Sequence, residues 1–162
     1  MYTLDNQQFL DKLKKILEDQ IFESNDNRYP CVVFDIDGTL INPVTNQIIK
    51  PVVDFFQYCN ELGMKNIIVT ARPGSPYNIE YTVNLLKSLG IHTQFYNFMK
   101  PELFYENKQR EYKEEARKEI LKKHEILMSI GDMIFDMDTY CNVGVLVKSY
   151  NNNTIDYYIE HH

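Results

Sequence analysis

Five short apolar runs alternate with longer amphipathic segments along the chain. The runs contain many β-branched residues and predict strands at residues 31–34, 66–70, 94–99, 126–130 and 143–147. Uninterrupted runs of this kind are typical of strands buried on both faces of a parallel sheet. The amphipathic segments predict helices at residues 4–21, 51–62, 76–89 and 111–123. The alternation predicts right-handed β-α-β connections and therefore an α/β fold with a mostly parallel sheet.

Length and local composition predict a single domain over residues 1–162. Its expected parts are an N-terminal helix and connector at 1–28, a catalytic core at 29–147 and a C-terminal tail at 148–162. The Asn-rich stretch 150–154 predicts a surface turn before a loosely held C-terminus. Residues 40–50 predict a small hairpin flap. His161 and His162 are given no chemical role.

The net charge of −6 excludes strong non-specific binding of nucleic acid by the whole surface, because that binding requires a basic face. No apolar run approaches the roughly 18 residues that a membrane span needs, and the N-terminus does not resemble a signal peptide. Cys31, Cys59 and Cys141 are widely separated, which indicates neither a zinc site nor a disulfide framework. These features predict a soluble, cytoplasmic protein that does not bind membranes.

Polar and acidic residues follow three of the predicted strands. The first strand is followed by Asp35 and Asp37, the second ends at Thr70 with Arg72 close behind, and the fourth is followed by Asp132 and Asp136. Ligands of open parallel sheets bind at the carboxyl ends of the strands. Carboxylates gathered there repel one another unless a cation lies among them, and oxygen ligands favour a hard ion such as Mg²⁺. A phosphate-transfer site with Mg²⁺ is therefore expected.

Several of these residues have more than one interpretation at this point. Gly38 and Thr39 are typical of a tight turn whose N–H groups point at phosphate. Asp132 could be a helix cap as well as a metal ligand. Arg72 fits a contact with a substrate phosphate and equally a contact with a nearby acid. The basic residues around Lys113 are interleaved with glutamates, which is typical of a solvated helix face.

The chain resembles the haloacid dehalogenase (HAD) superfamily through four separated motifs. These are Asp35-x-Asp37-Gly38-Thr39, Thr70, Lys113, and Gly131-Asp132 with Asp136. Residues 69–73, Val-Thr-Ala-Arg-Pro, and the run 113–117 ahead of Gly131 are similar to the acid-phosphatase-like and polynucleotide 3′-phosphatase-like branches, subfamily III. The resemblance implies a three-layer sandwich around a five-stranded Rossmann-like sheet of order 5-4-1-2-3, with a flap and no separate cap domain.

The resemblance also implies a role for each matching residue. Asp35 attacks phosphorus, and Asp37 protonates the leaving oxygen and later deprotonates water. Metal ligands are Asp35, Asp132 and the backbone carbonyl of Asp37, while Asp136 orients Lys113 or a metal-bound water. Substrate-binding residues are expected at Gly38, Thr39, Thr70, Ala71, Arg72 and Lys113.

The expected function is hydrolysis of a phosphomonoester through an aspartyl-phosphate, with Mg²⁺ as cofactor. Nucleotides and phosphorylated nucleic-acid ends lead as substrates, followed by sugar phosphates, because a site without a cap admits large substrates. Two alternatives stay open: phosphoryl transfer to an acceptor other than water, and a non-catalytic binding or regulatory module that keeps the fold. The sequence indicates no oligomeric state.

Overall fold

A seven-stranded sheet forms the centre of the protein in a computed structural model that describes residues 1–162. Its strands are β1 (Tyr2–Asp5), β2 (Tyr29–Phe34), β3 (Lys65–Pro73), β4 (Phe95–Met99), β5 (His124–Gly131), β6 (Val143–Tyr150) and β7 (Thr154–His161). The helices are α1 (Asn6–Glu23), α2 (Lys50–Glu61), α3 (Pro76–Ser88), α4 (Pro101–Tyr105) and α5 (Gln109–Leu121), and a 3-10 turn covers Ile134–Asp136.

The strand order across the sheet is β1-β7-β6-β5-β2-β3-β4. The five strands from β6 to β4 run parallel, whereas β7 pairs antiparallel with both β6 and β1. The α/β class and the mostly parallel sheet are thus confirmed. The prediction of a five-stranded sheet is wrong, because β1 and β7 extend one edge to give a mixed, seven-stranded sheet.

The two missed strands lie in segments that were expected to be irregular. The predicted C-terminal tail at 148–162 instead contains the end of β6 and all of β7, whose Ile155 and Tyr157 are buried. Strand β1 precedes the N-terminal helix and pairs with β7, so the two ends of the chain lie side by side. The two strands extend the sheet beyond β6, and β1 forms its outer edge.

Helices cover both faces of the sheet. The larger core cluster joins residues of α1, α2 and α3, such as Leu13, Phe56 and Leu86, to one face of the strands. The smaller cluster places Tyr112 and Ala116 of α5 on the other face. None of the helices is long and apolar enough to cross a membrane. The three cysteines are buried and unpaired.

Local signals explain where the helices begin. The Asp5 carboxylate caps α1 by accepting a hydrogen bond from the Gln8 N–H at 2.8 Å. The Ser75 hydroxyl caps α3, which has Pro76 in its first turn. Helix α4 was not predicted; it lies in the stretch between β4 and α5 and has no buried residue.

The flap is a short hairpin within residues 40–50. Ile41 and Ile48 form an antiparallel bridge, and the Asn42 N–H donates to the Gln47 carbonyl at 2.8 Å. The Asn42 side chain accepts hydrogen bonds from the next two N–H groups of the turn, at Val44 and Thr45. The hairpin leads directly into α2.

Candidate active site

Asp35 immediately follows β2, the middle one of the five parallel strands, and only 8% of its surface is exposed. Its N–H donates to the Ile130 carbonyl at 3.0 Å, which fixes the end of β2 against β5. One carboxylate oxygen accepts from the Lys113 ammonium at 2.8 Å, and the other from the Thr39 hydroxyl at 3.4 Å. Burial raises the pKa of Asp35 to about 6, and Lys113 opposes that shift.

Lys113 projects from α5 and is 3% exposed. Its Nζ donates to Asp35 Oδ1 at 2.8 Å, to the Val69 carbonyl at 2.9 Å and contacts Asp136 Oδ1 at 2.7 Å. Burial disfavours the ammonium, but the two carboxylates outweigh burial and raise the pKa of Lys113. Lys113 therefore remains a cation between two acids. Its ammonium contacts both the backbone of β3 and the loop after β5.

Asp132 and Asp136 lie on the loop that follows β5. The second oxygen of Asp136 accepts from the Met133 N–H at 3.1 Å, which holds the carboxylate toward Lys113. Burial raises the pKa of Asp132. Burial also raises the pKa of Asp136 to about 6, and the nearby charge of Asp35 adds to that shift. The acidic cluster is thus an electrostatically unfavourable arrangement for the chain alone.

Two glycines allow these carboxylates to approach the backbone. A Cβ at Gly38 would lie 2.4 Å from Asp132 Oδ2, and Gly38 also has a φ of +77° that side chains rarely adopt. A Cβ at Gly131 would lie 2.2 Å from the Asp136 Cβ. Gly38 therefore lets the turn after β2 contact the loop after β5, and Gly131 lets that loop fold back against its own backbone.

Asp37 faces Arg72 at the mouth of the site. Arg72 donates from Nε to Asp37 Oδ2 at 2.9 Å and from Nη2 to Oδ1 at 2.8 Å, a bidentate contact. Its remaining Nη1 donates to the Thr82 hydroxyl of α3 at 3.1 Å. Of the two contacts that the sequence left open for Arg72, the structure contains the one with a neighbouring acid.

The donor set fits a divalent metal ion. Carboxylate oxygens of Asp35, Asp132 and Asp136 lie within 4.8 Å of one another. Against these three acids the site contains one ammonium, that of Lys113, so two negative charges are in excess when all are ionised. All donors are carboxylate oxygens, which favours a hard cation. The side chain of Asp136 belongs to the cluster, whereas the side chain of Asp37 points to Arg72.

A cavity of about 350 Å³ opens over this cluster. Seven of the predicted site residues line it: Asp35, Asp37, Ala71, Arg72, Lys113, Asp132 and Asp136. Gly38, Thr39 and Thr70 do not. The N–H groups of Gly38 and Thr39 donate to Ile41 and Ile36 within the turn, so the expectation that they point at phosphate is wrong.

Comparison with protein families identifies the family of the chain. Residues 44–155, more than half of the chain, match the model of the HAD superfamily, subfamily IIIB (acid phosphatase). The chain belongs to this family. The matched region contains Thr70, Lys113, Asp132 and Asp136 and begins after Asp35 and Asp37. A search of curated proteins gave no match.

Solved structures show the same fold at low sequence identity. The class C acid phosphatase of Bacillus anthracis superimposes with a TM-score of 0.63 at 14% identity over 85% of this chain. Its tungstate-bound form gives 0.65 at 14% identity over 85%. The present chain covers 65% of the length of each of these two phosphatase chains. A chain of the Pnkp1/Rnl/Hen1 RNA repair complex gives 0.55 at 18% identity, covering 69% of this chain and 39% of that one.

One buried residue beside the candidate site was not identified from the sequence. Arg117 is 1% exposed and donates from Nε to the Thr139 carbonyl at 2.9 Å, which holds the loop that follows Asp136. The basic residues of this region were expected to form a solvated face. Lys113 and Arg117 contradict that expectation, because both are buried with Tyr112 and Ala116. Their spacing of four on one helix face was the available signal.

Proposed function

We propose that the chain is a Mg²⁺-dependent phosphomonoester hydrolase that acts through an aspartyl-phosphate on Asp35. The observation that supports this most strongly is the contact of Lys113 with Asp35 and Asp136 at the bottom of the cavity. A buried carboxylate that faces open space beside a fixed cation is suited to attack phosphorus and to have the resulting negative charge balanced.

The first half of the reaction forms the intermediate. An Asp35 oxygen attacks phosphorus, the bond from phosphorus to the leaving oxygen breaks, and Asp37 gives its proton to that oxygen. Lys113 keeps Asp35 ionised against the effect of burial and lies where it can also contact the transferring phosphoryl group. Mg²⁺, held by Asp35, Asp132 and the Asp37 carbonyl, would neutralise charge on the phosphoryl oxygens.

The second half releases phosphate. Asp37 now takes a proton from water, the water oxygen attacks phosphorus, and the bond from phosphorus to Asp35 breaks. Asp37 ends the cycle protonated. Because Arg72 holds both Asp37 oxygens and also lines the cavity, an incoming phosphate dianion competes with Asp37 for the guanidinium. That competition frees an Asp37 oxygen to carry the proton.

The proposed substrates are phosphorylated nucleosides, either free or at the end of a nucleic acid, with sugar phosphates second. An RNA repair complex among the structural neighbours supports this choice. The site opens directly to solvent between α4, α5 and the loop after β5, without an inserted cap domain, which leaves room for a large leaving group. The three buried thiols fit a reducing, cytoplasmic compartment.

Hydrolysis of an aryl phosphate with Mg²⁺ tests the proposal, with Asp35→Asn as the decisive variant. Asp19→Asn is the matched control, because Asp19 is an exposed acid of α1 paired only with Lys15. We expect Asp35→Asn to lose at least a thousandfold in kcat, and Asp19→Asn to match the wild type. Full activity in Asp35→Asn, or no hydrolysis of any phosphate by the wild type, would contradict the proposal.

A further inference from the structure

Helix α5 contributes a second buried cation, one helical turn after Lys113. Arg117 is 1% exposed and is the largest side chain that the fold buries completely. Burial lowers the pKa of its guanidinium, and the charges of nearby acids, among them Asp136 and Asp138, oppose that shift. A buried guanidinium destabilises a fold unless its charge and its N–H groups find partners. The proposed reaction, as described so far, gives this residue no task.

The hydrogen bonds of Arg117 go to a single residue of the loop after β5. Nε donates to the Thr139 carbonyl at 2.9 Å, and Nη2 donates to the Thr139 hydroxyl at 3.2 Å. The carboxylate of Asp138 is farther away, with its Oδ1 3.8 Å from Nη2. Arg117 therefore holds the backbone and the side chain of Thr139 together, which is a two-point contact rather than a close ion pair.

The segment that Arg117 holds contains a strained residue. Tyr140 follows Thr139 directly and has a φ of +60°, in the left-handed region that residues other than glycine adopt at a cost in free energy. The Lys118 ammonium lies 5.3 Å from the centroid of the Tyr140 ring. Two successive cations of α5 thus contact two successive residues of the loop. These contacts from α5 hold the turn in its strained conformation.

Asp136 lies three residues before Thr139 on the same loop. Its backbone carbonyl accepts a hydrogen bond from the buried Ser129 hydroxyl at 2.5 Å, and its carboxylate contacts the Lys113 ammonium at 2.7 Å. The loop is therefore held at two points, by β5 at Asp136 and by α5 at Thr139. Because only two residues separate these points, a displacement of Thr139 shifts the carboxylate that faces Lys113.

We infer that Arg117 is a positioning residue for the candidate active site. By holding the loop at Thr139, it keeps the Asp136 carboxylate against the Lys113 ammonium. That ammonium has three N–H donors, and Asp136 accepts one of them. Without this acceptor the ammonium is free to turn away from Asp35, where the phosphoryl group is transferred. The inference rests on the proposed phosphatase function, because it concerns the charge stabilisation that Lys113 supplies to that reaction.

The test is a double-mutant cycle between Arg117 and Asp136. Arg117→Met removes the guanidinium but keeps a long side chain, Asp136→Ala removes the carboxylate, and a third protein combines both changes. Arg117→Lys keeps a cation with a donor for the Thr139 carbonyl. Lys122→Met is the matched control, because Lys122 is an exposed cation at the end of α5 that pairs with Glu119. Each protein is measured twice: by kcat and KM for an aryl phosphate with Mg²⁺, and by urea unfolding without metal.

We expect Arg117→Met and Asp136→Ala each to lower kcat about ten- to a hundredfold, as for the loss of a group that orients an active-site side chain. KM should change less than kcat in both variants. In the Asp136→Ala background, Arg117→Met should lower kcat by less than about threefold more, because the group that it holds is already absent. Arg117→Lys should retain more activity than Arg117→Met, and Lys122→Met should match the wild type. The losses in unfolding free energy should likewise be less than additive.

A purely structural role for Arg117 predicts a different pattern. Arg117→Met would then lower stability, and its effect on kcat would either be absent or multiply with that of Asp136→Ala. Either result overturns the inference and leaves the phosphatase proposal intact. If the wild type hydrolyses no phosphate, the phosphatase proposal fails, and the unfolding cycle alone decides whether Arg117 holds Asp136.

A second variant covers the case in which Arg117→Met does not fold. Thr139→Val then takes its place in the cycle, because it removes only the hydroxyl that accepts a hydrogen bond from Nη2 of Arg117. We expect Thr139→Val to lower kcat alone and to have no further effect in the Asp136→Ala background. Unchanged kcat in Thr139→Val, or an effect that multiplies with that of Asp136→Ala, overturns the inference.

Discussion

Arg72 holds both carboxylate oxygens of Asp37, at 2.9 and 2.8 Å, at the mouth of the cavity over Asp35. The contact joins the third residue after β2 to the end of β3. Thr82 of α3 holds the guanidinium from the other side by accepting a hydrogen bond from Nη1. This places the proposed proton donor in one orientation. In the proposed reaction Arg72 acts by orienting Asp37. Arg72 contacts the substrate only when a phosphate competes with Asp37 for the guanidinium.

The effect of removing Arg72 should depend on the leaving group. In Arg72→Ala the side chain of Asp37 is no longer oriented, so we expect proton transfer to suffer most. General acid catalysis contributes about 10²–10⁴-fold when the leaving group is poor. We expect kcat to fall about a hundredfold for an alkyl phosphate and less than tenfold for a nitrophenyl phosphate. An equal fall for both would mean that Arg72 serves the phosphate alone.

Removing the ammonium of Lys113 should destabilise the fold in the absence of metal. Lys113→Met leaves Asp35 and Asp136 buried beside each other without a cation. Breaking a buried ion pair in this way costs about 3–5 kcal/mol. We expect a loss of that size in the free energy of urea unfolding, partly restored by Mg²⁺. The control, Lys118→Met, removes an exposed charge paired with Glu115 and should leave the free energy of unfolding nearly unchanged; a similar loss in both variants would contradict this account.

The acidic cluster should also make stability depend on pH. The folded chain raises the pKa of Asp136 from 3.8 to about 6, so between these values the folded state binds more protons than the unfolded state. The free energy of unfolding contributed by this group therefore falls as pH rises from about 4 to about 6. In metal-free protein, Asp136→Asn should gain stability relative to the wild type over this range in urea titrations. A relative loss over the same range would show that Lys113 outweighs burial at this site.

Alanine variants of Gly38 and Gly63 should separate two effects: the clash with Asp132 and the strain of a positive φ. Both have positive φ, +77° and +75°, but a Cβ would touch Asp132 at Gly38 and nothing within 4 Å at Gly63. Alanine at either position should cost about 1–2 kcal/mol in unfolding free energy from strain. Only Gly38→Ala should also weaken Mg²⁺ binding, measured by calorimetry, because it displaces the Asp132 carboxylate. Unchanged Mg²⁺ affinity in Gly38→Ala would remove Asp132 from the proposed metal site.

Local sequence predicts the parts of the fold that local chemistry determines. The apolar runs gave the five parallel strands, and Ser75 and Pro76 marked the start of α3. Strand β1 escaped prediction because its pairing with β7 joins distant residues, such as Tyr2 and Tyr157. Strand β7 pairs locally with β6, so distance does not explain why it was missed. The Asn-rich turn before β7 predicted a loosely held C-terminus instead, although Ile155 and Tyr157 alternate as a half-buried strand should.

The site, too, has parts that the sequence predicts and parts that depend on tertiary contacts. Asp35, Asp132 and Asp136 follow strand ends, so the order of the strands was enough to bring them together. The partner of Arg72 could not be predicted, because a guanidinium binds a substrate phosphate and a neighbouring carboxylate equally well. The hydrogen bonds of Gly38 and Thr39 depend on how the flap closes on the turn, which composition does not determine. Phe104, which also lines the cavity, lies on the short helix α4, whose apolar residues carry no periodic signal.

The central claim is that Asp35 carries the phosphoryl group during the reaction, and a trapping experiment measures this directly. In Asp37→Asn an aryl phosphate can still react, because its leaving group needs no proton, but water activation is lost. Rapid acid quenching after mixing with Mg²⁺ and the aryl phosphate should give one phosphoryl group per chain, located on Asp35 by peptide mass spectrometry. Steady release of the aryl alcohol with no phosphoryl group on Asp35 would contradict the account.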